Sequence, residues 1–312
     1  MQDRFEAFKA RLTGCDIWEN IPLAQYTSFR TGGNARLLIE PQSASALLNG
    51  LRTACESGIP YEVIGNGTNL LVSDEGVDAA VFRISSGMGR ISNEGSLFYA
   101  EAGALLTNVA KQSVSSGFMG LEWAAGIPGS VGGAIAMNAG AYGGEIAHVL
   151  HKVVYIDMQR HALVEAVPQP GDLAYRFSRY SAPERIIVSA EFSLMPDDGS
   201  AATRMDEYAR RRREKQPLAY PSAGSTFKRP EGNFAGSLIE QAGLKGARIG
   251  GAEVSTLHAG FIVNAGGATS ADIYALICHV QQAVQKKNGI LLEPEVRLLG
   301  RFTEPMKGEY PS

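Results

Sequence analysis

The sequence predicts a protein of mixed helices and strands in two or three domains. Three observations carry that prediction. The chain has 312 residues, where one domain takes roughly 100–200. Its apolar residues mix short β-branched runs with helical stripes. Two glycine loops, Gly65–Asn69 and Gly126–Gly144, fit neither standard nucleotide-binding fingerprint. In the first loop G-x-G is present, but Leu70 stands where the third glycine should be and no helical pattern follows, so a nicotinamide-type doubly wound fold is disfavoured. A G-x-x-x-x-G-K-[ST] run is absent, which removes P-loop chemistry.

The elements follow in order. Residues 1–30 open with an amphipathic helix bearing Phe5, Phe8 and Leu12 and run into Leu23–Phe29. Thr31-Gly32-Gly33 precedes a strand at Ala35–Glu40, which Pro41 ends. Ala44, Leu47, Leu48, Leu51 and Cys55 lie on one stripe at helical spacing, and Gly58-Ile59-Pro60 stops that helix. Strands at Tyr61–Ile64 and Leu70–Val72 flank the first glycine loop and complete a β-α-β unit. Further strands are expected at Ala80–Ile84, Leu97–Ala102, Val149–Asp157, Leu163–Val167 and Arg185–Leu194. Leu105, Leu106, Val109, Ala110 and Val114 give one helical face.

Pro196–Ser200 is a polar break. Thr203-x-x-Asp206 reads as a capping box opening a helix that ends near Lys215, and most of its run Arg210–Arg213 reads as a solvated face. A short helix at Leu238–Gln241 and a strand at Gly260–Asn264 follow. Thr269-x-x-Asp272 caps a helix carrying Ile273, Leu276, Ile277, Val280 and Val284, closed by Asn288-Gly289. The last strand is expected over Ile290–Leu299, with Glu293, Glu295 and Arg297 on one face and Leu292, Val296 and Leu298 on the other.

The stretch Gly126–Gly144 holds seven glycines and one proline. Glycine costs roughly 0.5–1 kcal/mol relative to alanine inside a helix or strand, so the stretch predicts a loop whose main chain is the working surface. Successive N–H groups form a concave anion site, and the expected ligand is a pyrophosphate or similar anion. A glycine-rich turn or linker is the plain alternative. Ile127, Val131, Ile135 and Met137, at spacings that bury, argue against a linker. The simplest joint task of the two loops is to hold one extended cofactor from two sides.

Bulk properties narrow the class. Net charge is −3, which gives no general attraction to nucleic acid or an anionic membrane. Cys15, Cys55 and Cys278 show no pairing or metal spacing, as expected of a reducing cytoplasm. The opening M-Q-D-R-F-E lacks the apolar core of a signal peptide, and no apolar run nears the ~18 residues of a membrane span. Neither a metal site nor an internal repeat is expected.

Six stretches together carry a family resemblance: Thr27–Gly33 (T-S-F-R-T-G-G), Gly65–Val72 (G-N-G-T-N-L-L-V), Gly120–Gly144, Tyr175-Arg176-x-Ser178, Ser222–Lys228 (S-A-G-S-T-F-K) and Leu292–Arg297 (L-E-P-E-V-R). From about residue 20 to residue 300 the chain resembles the UDP-N-acetylenolpyruvoylglucosamine reductase family, the UDP-N-acetylmuramate dehydrogenases or MurB flavoenzymes. Ile187–Asp206 is too short for the extra tyrosine-bearing loop of some members, so the resemblance is to the shorter, loopless type. It implies a two-lobed FAD-binding region of the PCMH type, with lobes at 1–79 and 80–196, then an α+β substrate-binding domain at 197–303 and a loose tail at 304–312. It also implies FAD and NADPH, a cytoplasmic monomer, and reduction of UDP-N-acetylenolpyruvoylglucosamine to UDP-N-acetylmuramate in peptidoglycan precursor synthesis.

The resemblance also assigns residues. Gly65, Asn66, Gly67, Thr68 and Asn69, with Gly126, Ile127, Pro128, Gly129, Ser130, Gly132, Gly133 and Asn138, are expected to bind FAD. The reaction adds hydride from reduced FAD to C3 of the enolpyruvyl group and a proton to C2, through an enolate that needs a cation or donor and fixed geometry. Arg176 matches the family arginine and suits the carboxylate, since guanidinium is always charged and binds bidentately; unaided, a surface salt bridge is its plainer reading. Ser225 matches the proton donor, with Ser222 as rival. Glu295 matches the glutamate that helps hold the enol, with Glu293 as rival. Lys215 is expected against the substrate diphosphate, assisted by Arg211 and by Arg229, where some members carry asparagine. His258 falls near the substrate in the family, although a lone histidine before a strand is more often structural.

Two other classes fit part of the pattern. An FAD-linked oxidase or dehydrogenase on the same scaffold often tethers flavin through histidine or cysteine, and neither glycine loop contains one. A non-catalytic nucleotide-binding module leaves Arg176, Ser225 and Glu295 without a task.

Overall fold

A computed structural model describes residues 2–303; the tail expected at 304–312 lies outside the described residues. The chain is α+β and forms two compact units, neither continuous in sequence. The first takes residues up to 19, 36–66 and 79–212; the second takes 20–35, 67–78 and 213 onward. The boundaries read from the sequence, 79/80 and 196/197, are cuts in a continuous chain, whereas these units interleave.

The first unit is built on two sheets. One has four strands in the order Cys15–Pro22, Asn34–Pro41, Val77–Arg83 and Tyr61–Ile64, the last two parallel. The other is a five-stranded antiparallel sheet in the order Ala162–Ala166, Leu150–Asp157, Arg185–Ser193, Leu97–Glu101 and Ile91–Glu94. Their β-branched and aromatic residues share one core, including Phe82, Phe98, Val153, Ile156 and Phe192. Helix α1 (Gln2–Lys9) adds Phe5 and Phe8 to it.

Helix α2 (Ala44–Glu56) is capped by Ser43, whose hydroxyl accepts from Ala46 N at 3.1 Å. Its buried face is Ala46, Leu47, Gly50, Leu51 and Ala54, and Cys55 is exposed. The expected stripe through Ala44, Leu48 and Cys55 is therefore rolled around the axis. Gly50 is the reason: a Cβ there would stand 2.7 Å from the Phe82 ring, so the helix approaches the sheet through its side-chain-free position.

Helix α3 (Leu106–Ser115) buries Leu106, Val109 and Ala110. The glycine stretch expected to be all loop contains a six-residue helix, α4 (Val131–Ala136), with Ser130 as N-cap and Val131 and Ile135 fully buried. Propensity yields here to packing. A Cβ at Gly132 would stand 3.0 Å from that of Ala102, so the glycine lets α4 lie against the chain leaving the five-stranded sheet.

Helix α5 (Ala201–Lys215) starts two residues before Thr203. The expected capping box is thus inside the helix. An upstream carboxylate takes the capping task instead: Asp197 Oδ1 accepts from Ala201 N at 3.0 Å. The helix is tied into the first unit by Arg204, whose Nε lies 3.1 Å from Oε1 of buried Glu122.

The second unit is a three-stranded antiparallel sheet, Arg248–Ile249, Ala252–Val254 and Ile262–Asn264, with α6 (Ala235–Gln241) and α7 (Ser270–Asn288). Ile273, Leu276, Ile277, Val280 and Val284 of α7 are buried, as their spacing predicts. The Thr269–Asp272 capping box forms, and Gly289 closes the helix with φ 71°. Asp74 also serves this helix start, accepting from Ser270 N at 2.9 Å and Ala271 N at 2.8 Å. Segment 67–78 is thereby fixed to the C-terminal part of the chain.

The expected last strand is much shorter than predicted. Only Arg297–Leu299 is strand, parallel to Leu70–Val72. Pro294 makes an isolated bridge to Phe227, and the chain bends at Val296. Proline has no N–H to give a ladder, and the bridge is closed by its neighbours instead, Lys228 N to Glu293 O at 2.9 Å and Glu295 N to Thr226 O at 2.8 Å. Leu292, Val296 and Leu299 are buried while Leu298 is 45% exposed. Leu292 and Val296 are buried while Glu293, Glu295 and Arg297 are not, as the alternation predicts, and Leu298, expected on the buried side, departs from it. Among the described residues no helix is long and apolar enough to cross a membrane.

Candidate active site

In the first unit the two glycine loops meet. Asn66 Nδ2 donates to Pro128 O at 2.7 Å. A Cβ on Gly65 would collide with the Ser130 hydroxyl, so any larger residue there would displace the side chain that caps the second loop. Main-chain bonds then hold the second loop: Leu106 N to Gly129 O at 3.0 Å, Val131 N to Ala104 O at 2.8 Å and Gly132 N to Ala102 O at 2.9 Å. Gly129 and Ser130 are buried residues, and neither N–H makes a hydrogen bond among the described residues. Buried N–H groups are nearly always paired, and two adjacent ones near the start of a glycine segment suit an anionic ligand.

Gly67, Thr68 and Asn69 belong to the second unit, so the first loop straddles the division. Ser28 N donates to Gly67 O at 3.1 Å. Gly67 has φ 64°, and a Cβ there would collide with Tyr26 O. These contacts join the T-S-F-R-T-G-G and G-N-G-T-N stretches. Asn69 Nδ2 donates to Glu295 O at 3.0 Å.

Arg176 lies in the first unit, in the two-residue turn between Leu173–Ala174 and Phe177–Ser178. It adopts φ 53°, and its guanidinium lies 5.1 Å from the centroid of the Tyr175 ring. Below the turn, buried Asp172 accepts from Gln169 N at 2.9 Å, Arg179 Nη1 at 2.9 Å and Tyr180 Oη at 3.0 Å. Burial alone raises the Asp172 pKa, but these three hydrogen bonds outweigh it and hold the carboxyl below its ordinary value.

Asn138 sits at the C-terminal end of α4 with φ 42° and 1% exposure. Its carboxamide donates to Ala174 O at 3.0 Å and accepts from Ala147 N at 2.9 Å. Both ends of that side chain are thus engaged by main chain.

Ser225 and Glu295 are brought together in the second unit. Glu295 N donates to Thr226 O at 2.8 Å, and Lys228 N donates to Glu293 O at 2.9 Å, on either side of the Phe227–Pro294 bridge. Thr226 and Phe227 are buried, with the Thr226 hydroxyl accepting from Ile262 N at 3.0 Å. They anchor the segment, and Ser225 beside them is half-buried. Of the two glutamates, Glu293 is largely exposed and its carboxylate pairs with Lys228, whereas Glu295 is half-buried.

The basic candidates divide. Arg211 Nε is bonded to Glu207 Oε1 on its own helix at 2.6 Å. Lys215 ends α5 and is exposed. Arg229 lies 4.7 Å from the centroid of the Phe234 ring. His258 is half-buried, accepts from Gly260 N through Nδ1 at 3.1 Å and packs edge-on to Phe261. Burial lowers its pKa.

Comparisons with known proteins bear on this arrangement. A family model described as "FAD binding domain" matches residues 35–159. Another, "UDP-N-acetylenolpyruvoylglucosamine reductase, C-terminal domain", matches residues 216–299. A UDP-N-acetylenolpyruvoylglucosamine reductase from Caldicellulosiruptor bescii is 44% identical over 94% of each chain. The chain belongs to the UDP-N-acetylenolpyruvoylglucosamine reductase family. It is an FAD-containing oxidoreductase. A relative from Clostridium botulinum is 46% identical over 89% of this chain and 91% of its own. The crystal structure of the Thermus caldophilus MurB reductase superposes with a TM-score of 0.77 at 32% identity, covering 92% of this chain and 99% of that one.

The first unit's residues fit the pyrophosphate of FAD. The N–H groups of buried Gly129 and Ser130 are one reason, and Arg212 is another. Arg212 belongs to the run most of which was expected on a solvated face. It is instead half-buried beside the loop of this reductase-family chain, where a Cβ on Gly126 would stand 2.9 Å from its Cδ and 3.3 Å from Nη1. It has no hydrogen bond or ion pair among the described residues, and burial lowers its pKa. Sequence reasoning passed over it because four consecutive arginines look alike until the helix is set against a neighbour.

Proposed function

We propose that this chain reduces UDP-N-acetylenolpyruvoylglucosamine to UDP-N-acetylmuramate, using NADPH as electron source, as a cytoplasmic monomer serving peptidoglycan precursor synthesis. The observation that carries the reading is similarity along nearly the whole chain, 44% identity over 94% of it, to a reductase of that name. FAD, when bound there, would supply hydride chemistry toward C3 of the enolpyruvyl group, with NADPH as the electron source.

The chain's own residues do the rest. The loops Gly65–Asn69 and Gly126–Gly133 hold the FAD pyrophosphate with main-chain N–H groups, and Arg212 adds a charge. Arg176 holds the substrate carboxylate, where negative charge grows as C3 gains its hydrogen. Ser225 donates its hydroxyl proton to C2, which completes saturation of the double bond. Glu295 hydrogen-bonds the enol form; the exposed, lysine-paired position of Glu293 favours Glu295 over its rival. Lys215 and Arg229 bind the diphosphate, with Arg211 assisting once released from Glu207. His258 lies near the substrate in this reading, as a neutral ring whose Nδ1 serves the Gly260 turn.

An anaerobic experiment tests the function. NADPH should bleach the visible flavin band, and the enolpyruvyl substrate should restore it with formation of the lactyl ether. Restoration by oxygen alone, with the enolpyruvyl compound inert, would identify an oxidase instead.

A further inference from the structure

We propose that Asn138 is a positioning residue for Arg176, joining the glycine-rich segment to the turn that presents the guanidinium. The inference rests on the reading of Arg176 given above. Arg176 occupies a turn between two strands of two residues each, and so short a hairpin does not hold itself in water. Its φ of 53° is a left-handed conformation that a β-carbon disfavours. Such a turn persists only if its surroundings fix it.

Two anchors do so. At the base, Asp172 ties the chain to Arg179 and Tyr180. At the flank, Asn138 Nδ2 donates to Ala174 O, two residues before Arg176. The Asn138 side chain is buried and its other end is taken by Ala147 N, so it cannot swing away without breaking both bonds. Its own N–H bonds Ile135 O at 3.1 Å at the end of α4. The same short helix begins at Ser130, beside the N–H groups assigned to the flavin pyrophosphate. One six-residue helix therefore fixes both the cofactor loop and the Arg176 turn. Asparagine suits the position because it tolerates φ 42° and offers a donor and an acceptor.

The test uses the flavin-loaded full chain with Asn138→Asp, which keeps the acceptor and removes the donor, and Asn138→Gly, which keeps the left-handed backbone and removes both. Hydrogen exchange at residues 173–178 should quicken in both. With rates taken per bound flavin, because Asn138 is itself among the residues expected to bind FAD, reduction of the enolpyruvyl substrate should slow about tenfold to a hundredfold relative to NADPH-driven bleaching, the range a small misplacement produces. In an Arg176→Ala background the Asn138 effect on that step should vanish, because the residue acts through Arg176. Unchanged exchange, flavin loss in proportion to lost activity, or an equal effect in both backgrounds would each overturn the proposal. Arg176→Ala measured alone judges the underlying reading: wild-type enolpyruvyl reduction in that variant defeats the assignment of Arg176, and hairpin anchoring is then decided by exchange alone.

Discussion

Asn69 and Glu295, 226 positions apart in sequence, are joined by a hydrogen bond of 3.0 Å from the asparagine carboxamide to the glutamate carbonyl. Glu295 is held from the other side by its N–H on Thr226 O. A residue of the first glycine loop thus braces the main chain of a candidate catalytic glutamate. Asn69→Ala should remove that bond, worth about 0.5–1.5 kcal/mol. The expected result is a melting temperature lower by roughly 2–5 °C and reduced turnover at saturating flavin. Unchanged melting and turnover would show the bond to be idle.

Arg212 lies beside Gly126 without an acidic partner among the described residues. If it faces the flavin diphosphate, Arg212→Ala should raise the FAD dissociation constant about tenfold to a hundredfold, the range of a lost charge-assisted hydrogen bond. Fluorescence titration of the apoprotein checks this. Arg210→Ala is the comparison, since Arg210 is paired with Glu207 on its own helix and should leave flavin affinity as it was.

Ser225 should matter to one half-reaction alone. Ser225→Ala should leave bleaching by NADPH within about twofold and slow enolpyruvyl reduction by about 10²–10⁴, the usual contribution of a general acid. Stopped-flow measurement of each half-reaction separates them. Wild-type rates in both would shift attention to Ser222.

His258 gives a pH prediction. Burial holds its folded pKa below the ordinary 6.5, so the unfolded chain takes the proton more readily. The associated stability is full above the unfolded value and is lost as pH falls through the folded one. His258→Asn keeps an acceptor for Gly260 N and does not titrate. Urea unfolding between about pH 7 and pH 5 should show wild-type stability falling more steeply than that of the variant. Parallel slopes would mean that His258 does not titrate on unfolding.

Much of this protein was legible from local pattern. The capping box at Thr269 and the stripe from Ile273 to Val284 defined α7, because capping and helical period depend on residues within a few positions of each other. The two glycine loops announced a close approach to main chain, which Asn66 makes to Pro128, and the family motifs singled out Arg176, Ser225 and Glu295 as candidates. Tertiary structure decided which chemically similar residues differ. Gly50 rolled α2 against Phe82, Asp197 moved the start of α5, and the last strand was cut to Arg297–Leu299 with an isolated bridge at Pro294 before it. It also turned one arginine of four toward Gly126 and set Asn138 against Ala174. Those outcomes depend on partners tens or hundreds of residues away, whose approach is set by packing volume and by buried groups requiring hydrogen bonds.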